Sequence, residues 1–175
     1  MKMETQITII LVTVLVIGIS TTTAEIITFE SGHHTFTSED PYYDEVFVEN
    51  DASLDFLSGD IGKLETIHNG LVDIYGGNMD SLWTFDESVV KIHGGDIDLL
   101  AAFNNSDILL YTDDFMYSPV GGSEGYGYIE GLYYNSAVAF YISFYDDTSY
   151  SHIATVPEPA TILLFGIGGL IMRAC

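Results

Sequence analysis

Residues Ile67 to Ala102 read IHNGLVDIYGGNMDSLWT followed by FDESVVKIHGGDIDLLAA, and their repetition indicates the architecture of the chain. These two eighteen-residue blocks align without a gap with ENDASLDFLSGDIGKLET at 49–66 and FNNSDILLYTDDFMYSPV at 103–120. Equivalent positions form four apolar columns: Leu54, Val72, Val90 and Ile108; Phe56, Ile74, Ile92 and Leu110; Ile61, Met79, Ile97 and Phe115; Leu64, Leu82 and Leu100. A fixed period of this kind indicates one structural unit repeated along the chain.

Within each block the apolar residues alternate with polar ones, as in Val72-Asp-Ile74, and this pattern predicts strands with one inward face. Three blocks carry a glycine at the same later position: Gly59, Gly77 and Gly95. Glycine permits a sharp corner there, so each block makes one coil. Stacked coils bring equivalent side chains to the ~4.8 Å strand spacing. We therefore predict an all-β fold, a short parallel β-solenoid of about four coils over 49–120.

Two features of this prediction stay open. Eighteen residues suit three hexads per coil, but a strict hexapeptide signature is absent, so the sequence does not decide the handedness. An antiparallel sandwich is the alternative fold, because its strands also recur at regular intervals.

The segments on either side of the blocks differ from them and are predicted to cap the solenoid. Residues 25–48 contain two short apolar runs around a polar turn. Residues 121–155 are rich in tyrosine and phenylalanine, partly alternating with small residues. Capping strands would cover backbone edges that otherwise invite pairing between chains. The whole exported all-β domain is predicted to span residues 25–155.

The charge of this domain excludes one class of partner. Between residues 25 and 156, Lys63 and Lys91 are the only basic side chains apart from histidine, and they stand against 24 carboxylates. Nucleic-acid binding depends on lysine and arginine, so nucleic acid is not expected as a partner. The single cysteine is Cys175, so the domain has no disulfide and depends on packing.

Residues 1–24 have the pattern of a secretory signal peptide. Lys2 precedes an apolar and threonine-rich run from Ile7 to Ile19, and small residues end the segment at Ala24. Cleavage is predicted between Ala24 and Glu25, after passage through the secretion translocon. The alternative is an uncleaved N-terminal anchor.

Residues 156–175 combine a proline motif with a short apolar helix. Val156, Pro157, Glu158, Pro159 and Ala160 form an extended, accessible stretch, because proline fixes φ and removes backbone donors. The apolar run from Ile162 to Met172 is short for a membrane span, which needs ~20 residues. It suits a transient anchor, with Arg173 on the cytoplasmic side.

This arrangement resembles the PEP-CTERM sorting signal of exported bacterial proteins. The resemblance implies processing by an exosortase, transient anchoring in the inner membrane, and a final place in the envelope or extracellular matrix of a Gram-negative bacterium. The chain departs from the family in its tail, where one arginine, Arg173, replaces the usual several basic residues.

No catalytic or metal constellation stands out in the sequence. Asp96 and Asp98 share a strand face and could satisfy the spacing of a glycosidase pair, but with 24 acidic residues such pairs arise by chance. The five histidines are scattered, and no zinc-binding spacing exists. No cofactor is expected, although clustered carboxylates could bind Ca²⁺ weakly.

We therefore predict a non-enzymatic structural or adhesive protein. The main alternative is a small carbohydrate-binding module, in which Trp83, at an outward-facing repeat position, stacks on sugar rings of an extracellular polysaccharide. A polysaccharide-acting β-helix enzyme is the third possibility.

Overall fold

A computed structural model describes residues 24–134 and 138–156 of the chain. These residues form eleven strands and one 3-10 helix. In chain order they are β1 (Ile26–Phe36), β2 (Tyr43–Phe56), β3 (Asp60–Thr66), β4 (Leu71–Ile74), β5 (Asn78–Thr84), β6 (Val89–Ile92), β7 (Asp96–Ala102), β8 (Asp107–Ser118), β9 (Tyr128–Tyr133), β10 (Ala139–Phe144), the 3-10 helix Ser149–His152 and β11 (Ile153–Val156). The predicted signal helix and C-terminal hydrophobic helix lie outside the described residues.

The strands stack as two parallel ladders, which we call ladder A and ladder B. In ladder A, Leu64 of β3 pairs with Leu82 of β5, and Leu82 pairs with Leu100 of β7. In ladder B, Val72 of β4 pairs with Val90 of β6, which pairs with Ile108 of β8. Paired residues in neighbouring strands are eighteen residues apart in the sequence, so one sequence repeat corresponds to one coil of the solenoid. The predicted parallel β-solenoid is confirmed.

The solenoid has about five coils rather than four. The additional coil comes from residues 25–48, because β1 pairs in parallel with β2 along both ladders, from Ile26 opposite Glu45 to Phe36 opposite Phe56. This segment therefore continues the stack with a coil of its own. Three hexads per coil would give three strand faces, whereas each described coil contributes strands to only two ladders.

One corner depends on glycine in three successive coils. Gly59, Gly77 and Gly95 have φ values of 107°, 85° and 103°, which lie in a region that side chains resist. A Cβ added at Gly77 would lie 2.6 Å from the ring of Phe56 and 2.7 Å from the carbonyl oxygen of Gly59. The backbone can turn here only because no side chain is present.

The opposite corner uses small or polar residues in the left-handed region. Their φ values are close to 60°: Asn50 (54°), His68 (59°), Asp86 (57°) and Asn104 (58°). They are spaced by eighteen residues. Asparagine and aspartate tolerate this conformation better than most residues, because their short polar side chains bond locally. This second periodic corner was not predicted from the sequence.

The periodic stack ends where its corner glycine is missing. The position equivalent to Gly95 is Asp113, and β8 continues through it to Ser118 with a shift of register between Thr112 and Asp114. From Thr112 onward, β8 pairs antiparallel with β9, and β9 pairs antiparallel with β10. Phe115, which the alignment places above Ile97, lies instead opposite Gly131. We call the antiparallel sheet of 112–118, β9 and β10 the cap sheet.

The chain then returns to the solenoid and adds part of a sixth coil. Ser143 and Phe144 at the end of β10 pair in parallel with Leu99 and Leu100 in ladder A. β11 then pairs in parallel with residues 108–111 of β8 in ladder B. The aromatic segment thus covers the last complete coil, as a capping role requires.

The core runs through the coils as continuous columns of aliphatic side chains. Leu64, Leu82, Leu100, Val72 and Val90 are all fully buried. Buried hydroxyl groups line one corner, where the Thr84 and Ser106 side chains lie 2.9 Å apart and satisfy each other. In the described part of the chain, no helix is long and apolar enough to cross a membrane.

Candidate functional site

The predicted processing points lie at the two margins of the described fold. Ala24 and Glu25 are exposed, and Glu25 is tied to the solenoid through its backbone nitrogen, 2.8 Å from the Asp44 carboxylate. Val156 is the last residue of β11. Pro157, Glu158, Pro159, Ala160 and Arg173 lie outside the described residues.

Trp83 lies on the outer side of ladder A, between Glu65 and Ala101 in the register. It is only half-buried, because other side chains cover much of the indole. The Tyr145 ring lies 4.9 Å from it between centroids, and Lys63 Nζ lies 5.6 Å from its ring centroid. Its Nε1 is buried and has no hydrogen-bond partner among the described residues. A sugar ring would have to displace these contacts before it could stack on Trp83.

Both lysines of the domain are already neutralised by carboxylates. Lys63 Nζ lies 2.9 Å from Glu65 and 3.2 Å from Glu45, and Lys91 Nζ lies 3.2 Å from Asp73. Burial lowers the pKa of Lys63, but its hydrogen bonds to Glu65 and Glu45 outweigh burial and leave that pKa raised. The described surface therefore presents negative charge with no lysine free to offset it.

An aromatic column follows the outer edge of ladder B. The His93 ring stacks between Tyr75 and Tyr111, with centroid distances of 4.7 Å and 3.9 Å. His93 Nε2 also lies 3.4 Å from the Asp73 carboxylate. Burial raises the pKa of Tyr75, and the nearby Asp73 and Asp55 carboxylates add to the effect. This column is one more consequence of the eighteen-residue repeat.

A concave surface lies on the outer face of the cap sheet, and we call it the cap groove. It has a volume of about 610 Å³. Its lining consists of Asp96, Asp114, Phe115, Met116, Glu130, Gly131, Leu132, Ala139, Phe140 and Tyr141. The register explains the lining, because Asp114, Leu132 and Ala139 form one cross-strand row, and Met116, Glu130 and Tyr141 form the next.

The cap groove exposes large apolar side chains beside unpaired carboxylates. Met116 is 55% exposed, and Leu132 and Tyr141 are each 46% exposed. The side-chain carboxylates of Asp114 and Glu130 make no hydrogen bond or ion pair in the described part of the chain, although the Asp114 backbone carbonyl accepts from the Thr112 hydroxyl at 2.8 Å. A second groove of about 410 Å³ adjoins it through Asp96 and Ala139 and is walled by the aromatic column. The two grooves share Asp96 and Ala139 in their linings and therefore adjoin.

The two aspartates that the sequence suggested as a glycosidase pair do not line the same groove. Asp96 and Asp98 are both exposed on β7, but only Asp96 lines the cap groove. No group of three or more histidine, cysteine, aspartate or glutamate side chains is placed to hold a metal ion within residues 24–134 and 138–156.

Sequence reasoning did not find the cap groove. It noted the aromatic residues of 121–155, but both faces of β10 are apolar, so the alternation could not say which side faces outward. Tyr141 points out, while Phe140 and Ile142 are buried. The exposed face becomes visible only when the pairing with β9 is known.

Comparison with known protein families gives one finding. Residues 155–174 match the model of the PEP-CTERM protein-sorting motif. No curated protein and no solved structure matches the chain.

The family match covers the stretch in which the sequence analysis placed the sorting signal, and it begins on the last two residues of β11. The motif implies processing by an exosortase. The chain therefore carries a PEP-CTERM protein-sorting motif at 155–174, and this motif supports its assignment as an exported protein sorted by an exosortase.

Proposed function

We propose that this exported protein has a non-enzymatic structural or adhesive role in the cell envelope or extracellular matrix of a Gram-negative bacterium. One observation carries the proposal: the cap sheet presents Met116, Leu132 and Tyr141 to solvent on an otherwise regular, acidic solenoid. Clusters of exposed large apolar side chains on soluble domains mark interaction surfaces. A rigid stack of coils that displays one such surface suits attachment.

The acidic charge of the domain limits the classes of partner that can bind it. The described surface is strongly acidic and both lysines are paired, so a polyanionic partner would be repelled. An uncharged or cationic matrix component meets no such barrier.

Retention in the matrix tests the adhesive role with the full chain in its native host. The variant Met116→Ser, Leu132→Ser, Tyr141→Ser should be exported normally, but its retained fraction should fall at least about fivefold because the apolar contacts are lost. The matched control changes three equally exposed apolar residues elsewhere, Ile26→Ser, Tyr42→Ser and Leu57→Ser. Equal retention of both variants would refute the adhesive surface.

The sorting step is tested separately. Pro157→Ala with Pro159→Ala should leave the precursor in the membrane, because the extended motif that the exosortase grips is lost. Pro41→Ala with Pro119→Ala is the control, since these two exposed prolines lie outside the motif in the sequence. Unchanged processing and release of the first variant would remove the sorting claim.

A carbohydrate-binding module is the second candidate, and the open shape of the cap groove favours it. Purified residues 25–156 would then bind an uncharged matrix polysaccharide. Loss of binding in Tyr141→Ala would locate the site in the cap groove, whereas loss in Trp83→Ala would locate it on ladder A. Release of new sugar ends during incubation would instead indicate an enzyme.

A further inference from the structure

The sorting motif begins inside the folded domain. The matched stretch starts at residue 155, while β11 spans Ile153–Val156. Thr155 and Val156 therefore belong both to the motif and to the last strand of the solenoid. Pro157 follows directly in the sequence, so no linker separates the fold from the proline motif.

β11 is held on the last coil by more than its backbone pairing. It pairs in parallel with residues 108–111 of β8, and Ile153 packs against the core. In the preceding turn, the Tyr150 ring stacks on Tyr117 at 3.7 Å between centroids with an interplanar angle of 4°.

Hydrogen bonds add to this attachment. The buried Ser149 hydroxyl accepts from the backbone nitrogen of Ala102 at 3.1 Å. His152 Nδ1 lies 2.9 Å from the carbonyl oxygen of Ser106. These two contacts connect the turn before β11 to both ends of the corner between β7 and β8.

An enzyme that cuts a folded chain near a paired strand acts on the locally opened form. When opening and closing are fast relative to cleavage, the cleavage rate follows the population of the open form. Strands at the edge of a sheet open more readily than strands within it, and β11 pairs only with β8 among the described strands.

We propose that docking of β11 on β8 controls processing at the sorting motif, so that the undocked strand is the form that the exosortase uses. Docking then sets the balance between anchored precursor and released protein. The inference rests on exosortase sorting and is independent of the structural or adhesive role.

The first test inserts Gly-Ser-Gly-Ser between Val156 and Pro157 of the full chain and follows precursor processing in the native host by pulse-chase. The inserted residues free the motif while β11 stays docked, so processing should accelerate about tenfold, equivalent to about 1.4 kcal/mol of docking free energy. The same insertion after Gly125, an exposed glycine with open space around it, is the control and should leave the rate unchanged.

The second test locks the strand. Ala154 and Leu109 are register partners on β11 and β8, so Ala154→Cys with Leu109→Cys places two cysteines across the pair. Cys175→Ser removes the native thiol in this variant and in its two single-cysteine controls. The oxidised pair should process at least about fivefold more slowly than either control, and a reductant should restore the rate.

The outcomes separate this inference from the sorting assignment. Unchanged or slower processing after the insertion at 156, or a lock that leaves the rate unchanged, would overturn control by β11. If the variant Pro157→Ala with Pro159→Ala is still processed, the sorting assignment fails instead.

Discussion

In the coils, each inward-facing side chain stacks on the residue at the equivalent position of the next coil, as in the column of Leu64, Leu82 and Leu100. In the cap sheet, the strands pair antiparallel, and Phe115, the residue expected to continue such a column, lies opposite Gly131. Both regions bury an apolar face, and the cap sheet also exposes Met116, Leu132 and Tyr141 along the cap groove. Repetition of the coils extends the buried columns, and the break in repetition after Leu110 accompanies the exposed apolar surface of the cap sheet.

The largest expected difference between the two regions is in core packing. Leu82→Ala should lower the free energy of unfolding of residues 25–156 by about 3–4 kcal/mol, because Leu82 is fully buried between two other leucines. Leu132→Ala in the cap sheet, where the side chain is nearly half exposed, should cost less than about 1 kcal/mol. Urea unfolding measures both. Equal losses would show that the cap sheet is packed as tightly as the coils.

The corner glycines give a sharper comparison, because one in the coils and one near the cap have the same φ. Gly77→Ala should cost about 3 kcal/mol, since the new Cβ meets Phe56 in addition to the backbone strain. Gly125 has a φ of 84° but open space around it, so Gly125→Ala should cost only the backbone strain of about 1 kcal/mol. Thermal unfolding of both variants checks this, and similar losses would contradict the steric account of the corner.

The smallest expected effect on stability concerns Asp146, which follows β10 where the chain leaves the cap sheet and returns to the solenoid. Burial raises the pKa of the Asp146 carboxyl, but hydrogen bonds from Ser149 and Thr148 outweigh burial and hold that pKa below its usual range. Because the folded pKa is lowered, the stabilisation is present above the unfolded pKa of about 3.9 and is lost as pH falls through the folded value.

The prediction is that the stability advantage of the native chain over Asp146→Asn shrinks as the pH falls below about 4. Urea unfolding at a series of pH values between 6 and 2.5 would measure it. Asp147→Asn, an exposed neighbour, is the matched control. A difference that does not change with pH would mean that the Asp146 hydrogen bonds do not depend on its charge.

The sequence predicted the coils well because their structure follows from local alternation and a fixed period. It gave the correct columns up to Leu110, and it identified the glycine corners. It failed at Phe115, because the alignment counted apolar residues and gave no weight to Asp113, which stands where a corner glycine is required. It also took residues 25–48 for a cap, since the first coil is a residue or two longer than the others and does not fit an eighteen-residue register.

The candidate site was less predictable than the fold. The sorting motif is a local pattern, and a family match found it at nearly the positions expected. The cap groove depends on long-range pairing among β8, β9 and β10, which no local pattern encodes. Trp83 was correctly expected on the outer side of its strand, but its cover by Tyr145 and Lys63 comes from residues distant in the sequence.

Export and processing at the sorting motif are tested by the intact mass of the protein recovered from the released fraction and from the membranes of its native host. We predict a released species that begins at Glu25 and ends near Val156, with the longer precursor confined to membranes. A chain that keeps its residues through Cys175 in every fraction would contradict export by way of the sorting motif.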